Sequence, residues 1–241
     1  MEIFDSLNFN EKEATLRNEE VASSILVITD IRQAVRSENR VNVFVNNKFS
    51  FSLDVYQITE LGIRVGQKIN EEELLELEKQ SQFGKIYSRA VEYCLMRPHS
   101  KKEVYNYLQT KTLDKPAKKR SSELFIKKGI PKDIVLPVIN RLEEKGYIDD
   151  NKFATYWVNN RNYRKGISVK KIKSELITKG VSSDIIENAI SESSRDDQKE
   201  IIKVINKKRS KYNDEQKLIN YLMRQGFKYD DIKKAIANPQ E

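Results

Sequence analysis

Three stretches of this chain carry one pattern at fixed offsets, and no other feature restricts the fold as much. Ser100, Ser168 and Asp214 open it, all residue types that cap helix N-termini through a side-chain oxygen. Val104, Ile172 and Leu218 stand four residues on, and Leu108, Leu176 and Leu222 eight on, so each following helix has one apolar stripe. Ten residues before the cap stand Ala90, Val158 and Val204. A second alignment point is Gly129, Gly180 and Gly226, followed at once by Ile130, Val181 and Phe227. Asp133, Asp184 and Asp230 come four residues after the glycine, and Ile139, Ile190 and Ile236 ten after. Glycine can take the left-handed conformation that ends a helix, and an acid suits the first turn of the next. The unit is helix, short turn, helix, glycine turn, helix, three times over.

Each unit is too small to bury much surface alone, whereas stacked units share a continuous core. The expected fold is therefore mainly α: three tandem three-helix repeats forming an elongated curved rod, over 86–150, 151–194 and 195–241. Cap and glycine are 12 residues apart in the second and third copies and 29 in the first, which carries 17 extra residues at about 112–128. That insertion is basic, with Lys115, Lys118, Lys119, Arg120, Lys127 and Lys128 against Asp114 and Glu123. Everything from Ile86 onward reads as helical.

The region before the repeats differs. Residues 1–22 hold six acids and two bases and read as a flexible acidic arm, which leaves +12 on the rest of a chain whose net charge is +8. Residues 23–85 read as a small β/α domain. Ile25–Ile28, Val41–Val45 and Lys48–Leu53 are strand-like, with Val41, Val43 and Val45 and then Phe49, Phe51 and Leu53 on alternating positions. Asn46-Asn47 suits a two-residue hairpin turn because Asn tolerates positive φ. These strands predict an antiparallel sheet of about three. A short helix should end at Gly62, and Asn70 should cap another over Glu71–Leu77.

Composition excludes several functions. Eight glycines and no Gly-rich phosphate motif argue against nucleotide-binding loops. One cysteine, Cys94, excludes an internal disulfide and Cys-based zinc fingers, and one histidine, His99, excludes a multi-His metal site. Cys94 reads as a core residue, and His99 as a turn residue with a possible ligand contact. No catalytic residue, metal or cofactor is expected. Asp149-Asp150 read as a helix cap rather than a metal pair. No apolar run is long enough to span a bilayer and the N-terminus has no secretory stretch, so a soluble, cytoplasmic, monomeric protein is expected.

The basic residues form three clusters, each at the end of a first helix and the start of a second. They are Arg97, Lys101 and Lys102, joined by Lys118, Lys119 and Arg120 of the insertion; Arg161, Arg164, Lys165, Lys170, Lys171 and Lys173; and Lys203, Lys207, Lys208, Arg209 and Lys211. Repeated at one structural position, they would make a phosphate-neutralising stripe along a rod. Exposed turns are often Lys-rich regardless, so the repetition carries this reading. Among the aromatics, Trp157 is expected to pack, while Tyr163 and Tyr212 sit amid charge and are candidates for stacking on unpaired bases.

With these residues in view, the chain resembles the RecX family of recombinase regulators. The resemblance rests on Leu142-Glu-Glu-Lys-Gly-Tyr-Ile-Asp-Asp-Asn-Lys-Phe-Ala154 with Tyr156, Arg161 and Gly166. It is supported by Arg97-Pro-His-Ser100 before Glu103 and Leu108, and by Ser174-Glu-Leu-Ile-Thr-Lys-Gly180. It covers about residues 86–237. It implies three three-helix repeats, no catalytic residues, and binding to RecA in the groove of its filament on single-stranded DNA. It further implies damping of recombinase, ATPase and coprotease activity, hence a place in homologous recombination, DNA repair and the SOS response, and in several members direct DNA binding. The matching positions are Arg97, Ser100, Tyr147, Asp149, Asp150, Phe153, Ala154, Arg161 and Gly166. Most of these should hold the fold, with Arg97 and Arg161 left for surface contact. The basic insertion and the long N-terminal region depart from the family pattern. The rival reading is a DNA-binding helical-repeat protein with no filament partner.

Overall fold

The computed structural model describes residues 25–35, 37–119, 122–212 and 214–237. The acidic arm lies outside them. Two compact units divide at Ser88/Arg89.

In the first unit, β1 (Leu26–Ala34), β2 (Ser37–Val45), β3 (Lys48–Asp54) and β4 (Lys68–Ile69) form one antiparallel sheet in the order β3-β2-β1-β4. The fourth strand adds to the three expected. Asn46 and Asn47 make the β2–β3 turn with φ of 48° and 63°. Ile28, Val43, Val45, Phe51 and Leu53 are buried with Ile63 and Ile69. Phe49 departs from its expected alternation because the β2–β3 register shifts after Val43, and Phe49 turns outward edge-on to Phe44. The helix α1 (Val55–Glu60) opens on a reciprocal capping box between Asp54 and Gln57 and is followed by Gly62 at φ +62°. A second capping box, Asn70 with Glu73, starts α2 (Glu71–Met96), far longer than the expected 71–77. Ser81 of α2 is buried and donates to the Ser52 carbonyl of β3 at 2.7 Å.

The second unit holds the repeats. The first comprises the end of α2, α3 (Lys101–Gln109) and α4 (Val135–Glu144). The next comprises α5 (Asp150–Asn160), α6 (Val169–Thr178) and α7 (Ser183–Ser191), and the last α8 (Asp197–Lys208), α9 (Glu215–Arg224) and α10 (Tyr229–Ala237). Ser100, Ser168 and Asp214 cap the middle helices as expected, each accepting from backbone N–H groups of the first turn. All nine apolar residues at the offsets of minus ten, four and eight are buried.

The first repeat is not helical throughout. Its insertion folds into a two-stranded antiparallel hairpin, β5 (Lys115–Lys118) with β6 (Leu124–Lys127). Pro116 cannot supply a helical N–H, and Phe125-Ile126 favour extended backbone. Gly129 therefore ends no helix. Its φ is not positive, unlike that of Gly180 (+82°) and Gly226 (+93°). It closes the hairpin base, where a Cβ would lie 2.1 Å from the Thr112 carbonyl oxygen.

Successive repeats are joined by the same two hydrogen bonds. The Ser100 hydroxyl donates to the Lys179 carbonyl (2.8 Å), and the Ser168 hydroxyl donates to that of Gln225 (2.6 Å). Lys179 and Gln225 are the residues before Gly180 and Gly226 of the following repeat. In turn Asp150 accepts from Lys101 N–H (2.9 Å) and Asp197 from Val169 N–H (2.8 Å). Of the Asp149-Asp150 pair, Asp149 caps its own helix and Asp150 reaches back to the preceding repeat.

Candidate nucleic-acid interface

The packing that joins repeats two and three also shapes a cleft. Gly166 turns the chain between α5 and α6 at φ +75°, so close to α8 that a Cβ would lie 2.5 Å from the Glu200 carbonyl oxygen. Ile167 follows, its N–H bound by the buried Glu200 carboxylate at 3.0 Å. This turn and the end of α8 wall a cleft of about 210 Å³, floored by Val204, Tyr221 and Phe227. Four lysines line it: Lys165 and Lys171 from repeat two, Lys207 and Lys208 from repeat three. None has an acidic partner within ion-pair distance among the described residues. The Lys171 ammonium donates to the Gln225 side chain (2.7 Å), and Lys208 lies 5.7 Å from the Tyr221 ring centroid. Four positive groups around a partly apolar hollow form a local field that attracts anions and favours phosphate over water.

Other candidates have tasks within the chain. Arg97 pairs with Glu103 at 3.0 Å, and Lys179 also reaches that carboxylate. Arg161 holds Glu175 in a two-pronged contact at 2.8 and 3.0 Å, and Glu175 also accepts from the Trp157 indole at 3.0 Å. The Trp157 ring lies within 5.9 Å of Arg97, Arg161 and Lys179, a cation–π cluster at the junction of repeats one and two. Burial alone would raise the Glu103 and Glu175 carboxyls, but hydrogen bonds from these cations outweigh it and hold both below the usual range. Arg97 and Arg161, expected to be free for surface contact, are therefore largely engaged at a repeat junction. Neither the charge nor the position of a residue reveals a partner 14 positions away.

Lys101 pairs with Glu143 (2.9 Å), Lys102 donates to the Thr178 carbonyl (2.9 Å), Lys173 pairs with Glu187 (2.6 Å) and Lys119 with Glu123 (3.0 Å). Lys170 and Lys173 line a wider hollow shared with Asp196, Asp197, Asp230 and Asp231, not the lysine cleft. Arg164, Arg209 and Lys211 are exposed and line neither hollow, and Lys118 lies on the hairpin. Arg120 lies outside the described residues. Tyr163 is exposed, with the Lys203 ammonium 4.9 Å from its ring. Tyr212 instead packs on Tyr221 in the core of repeat three, at 5.2 Å between centroids. His99 is buried against Tyr93 (3.9 Å) with Nδ1 at 2.7 Å from the Arg97 carbonyl oxygen, and burial lowers its pKa. That leaves it no room for a ligand. Cys94 is buried as expected, which pushes its thiol up to about 11.

Sequence reasoning missed Arg195 and Glu200. Arg195 binds the carbonyls of Val158, Asn159 and Arg161 at the end of α5 and pairs with Glu200 at 3.2 Å, both side chains almost wholly buried. The available signal was the parallel between Asp149-Asp150 and Asp196-Asp197, with Phe153 and Glu200 three residues past the second acid.

Fold and cleft define a tandem three-helix repeat protein that offers cationic surface where its repeats meet. Residues 26–70 match the Regulatory protein RecX N-terminal domain, 149–190 the second RecX three-helix domain and 196–236 the third. Regulatory protein RecX of Clostridium perfringens is 30% identical over 173 residues, covering 71% of this chain and 72% of that protein. The chain belongs to the RecX family of regulatory proteins. Regulatory protein RecX of Bacillus licheniformis is 27% identical over 72% of this chain, and the match spans 59% of that relative's length. A crystal structure of regulatory protein RecX shares the fold, with a TM-score of 0.64 over 87% of this chain and 99% of its own at 20% identity. Among the described residues, no helix is long and apolar enough to cross a membrane.

Proposed function

We propose that this protein is a non-enzymatic modulator of homologous recombination that binds the RecA filament on single-stranded DNA and lowers its ATPase, recombinase and coprotease activities. The observation that carries this reading is the cleft of Lys165, Lys171, Lys207 and Lys208, which gathers cations from two successive repeats at one place, none ion-paired to an acid among the described residues. A filament repeats its phosphates and protein surfaces at regular intervals, and a repeat protein meets such a lattice with repeated contacts. Family membership supports RecA as the partner. The commitment of Asp149 and Asp150 to capping and repeat joining supports a binding rather than a hydrolytic role. The protein shifts filament assembly only through its differential affinity for two filament states.

The test is the RecA ATPase rate on single-stranded DNA, titrated with this protein below one per RecA protomer, beside K165Q/K207Q/K208Q. Unlike Arg161, none of these three positions holds an acid among the described residues. Inhibition at low ratios that the triple variant loses is the expected result. DNA binding with no effect on the ATPase would leave the DNA-binding repeat protein as the correct reading.

A further inference from the structure

The lysine cleft between repeats two and three gathers more positive charge than the fold itself uses. Its lining holds Lys165, Lys171, Lys207 and Lys208 and no acid among the described residues. The wider hollow at the same junction differs: there Lys170, Lys173 and Lys228 stand with Asp196, Asp197, Asp230 and Asp231. Lysines at this junction are thus not left without acids as a rule, and the imbalance belongs to the cleft. Glu200 lies behind the wall that Gly166 and Ile167 make. It is held by Arg195 (3.2 Å) and Lys203 (2.7 Å) and accepts from Ile167 N–H, so its charge is neutralised locally.

The backbone of the turn is also committed. The Lys165 and Gly166 N–H groups both donate to the Asn162 carbonyl, at 2.8 and 3.0 Å. The Asn162 side chain lines the cleft and makes no hydrogen bond among the described residues. An occupant would be met by ammonium groups and one side-chain amide over an apolar floor. Four like charges around one hollow raise the energy of the folded junction, and an anion entering it lowers that energy. Two of the lysines come from each repeat, so the same anion would tie the two repeats together.

Size and charge select the anion. The cleft volume of about 210 Å³ is below the roughly 300–1,000 Å³ of pockets that take drug-sized molecules. A nucleic-acid strand brings one charge per nucleotide, spread along its length. A terminal phosphate alone carries about −1.5 to −2 at pH 7, so two linked phosphates bring about three charges into one hollow.

We propose that the cleft is a binding site for a compact inorganic polyphosphate, pyrophosphate or triphosphate, held by Lys165 and Lys171 of one repeat and Lys207 and Lys208 of the next. The inference goes beyond the filament reading. It uses the same lysines but needs neither RecA nor DNA.

The test is isothermal titration calorimetry of the full chain with sodium triphosphate at about 150 mM salt, without RecA or DNA. Sulfate and a single-stranded trinucleotide are the comparison ligands. One site per chain is expected, with both comparison ligands at least about tenfold weaker. K165Q/K207Q/K208Q should weaken triphosphate binding about tenfold or more, while K115Q/K118Q/K127Q on the hairpin, with the same change in net charge, should bind as the parent does. Far-UV circular dichroism of both variants should match the parent. Triphosphate at about 100 times its dissociation constant should raise the melting temperature by about 5–10 °C, a shift the cleft variant should lose. Equal weakening in the two variants would reduce the effect to net charge and overturn the inference. So would several sites per chain, or a trinucleotide bound as tightly as triphosphate. Should triphosphate bind as described while the RecA ATPase is unaffected, the filament reading falls and the site remains. Should the RecA results hold and triphosphate fail to bind, the site alone falls.

Discussion

The paired repeat junctions permit a prediction with an internal control. Ser100, Ser168 and Asp214 occupy one position in three copies, and all three cap a helix. The two serines are fully buried, and their hydroxyls also donate to the Lys179 and Gln225 carbonyls of the next repeat. Asp214 is exposed and only accepts. Replacing an N-cap residue by Ala costs about 1 kcal/mol. Leaving a partly buried carbonyl without its donor adds about 1–2 kcal/mol. Ser100→Ala and Ser168→Ala should therefore each cost about 2–3 kcal/mol, and Asp214→Ala about 1 kcal/mol. Glycine separates the two contributions, since at an N-cap it costs only a few tenths of a kcal/mol. Asp214→Gly should be nearly silent, whereas Ser168→Gly should retain the cost of the orphaned Gln225 carbonyl. Urea unfolding of the full chain, followed by circular dichroism at 222 nm, reads all five variants against the parent. If Asp214→Ala costs as much as either serine, or Ser168→Gly is as silent as Asp214→Gly, the hydroxyl-to-carbonyl bonds do not hold the repeats together.

Other expectations follow from single sites. Gly166→Ala should destabilise far more than Gly62→Ala: both have positive φ, but only the former drives a Cβ into backbone, and melting temperatures compare them directly. The Glu103 carboxyl lies below its ordinary 4.5, so it stabilises above the unfolded-state value and that contribution is lost as pH falls through the lower folded value. Glu103→Gln should therefore lose stability at pH 7 and show a flatter loss between about pH 5 and 3, read from urea midpoints across that range. Native Cys94 should react with iodoacetamide at pH 8 at a small fraction of its rate in urea, because a thiol raised to about 11 is only about one part in a thousand ionised. Asp150→Asn keeps an acceptor for Lys101 N–H and should preserve the fold, while Asp150→Ala should not; thermal unfolding separates them.

The repeats were legible because caps, stripe positions and glycine turns are local and recur at fixed offsets. The hairpin was not: its strands are four residues each, inside a region whose neighbours are helical, and aligning Gly129 with Gly180 and Gly226 lent it a helix-ending role it does not have. Pro116 was the overlooked signal. In the first unit, alternation placed Phe51 and Leu53 correctly and failed at Phe49, where one irregularity in pairing reversed the face. The basic residues were located by position, but charge alone could not separate Lys165, Lys207 and Lys208, which pair with no acid among the described residues, from Arg161 and Arg97, which are tied to Glu175 and Glu103.

The junction bonds also have a direction. Asp150 completes the start of α3, Asp197 completes the start of α6, and Arg195 closes the end of α5. In these three contacts the later repeat supplies what the earlier one lacks, whereas Ser100 and Ser168 supply a donor to the later one. A growing chain leaving the ribosome therefore exposes each repeat unfinished and seals it when the next emerges. Truncation from the C-terminal side consequently does more than shorten the array: each deletion unseals the repeat that becomes last.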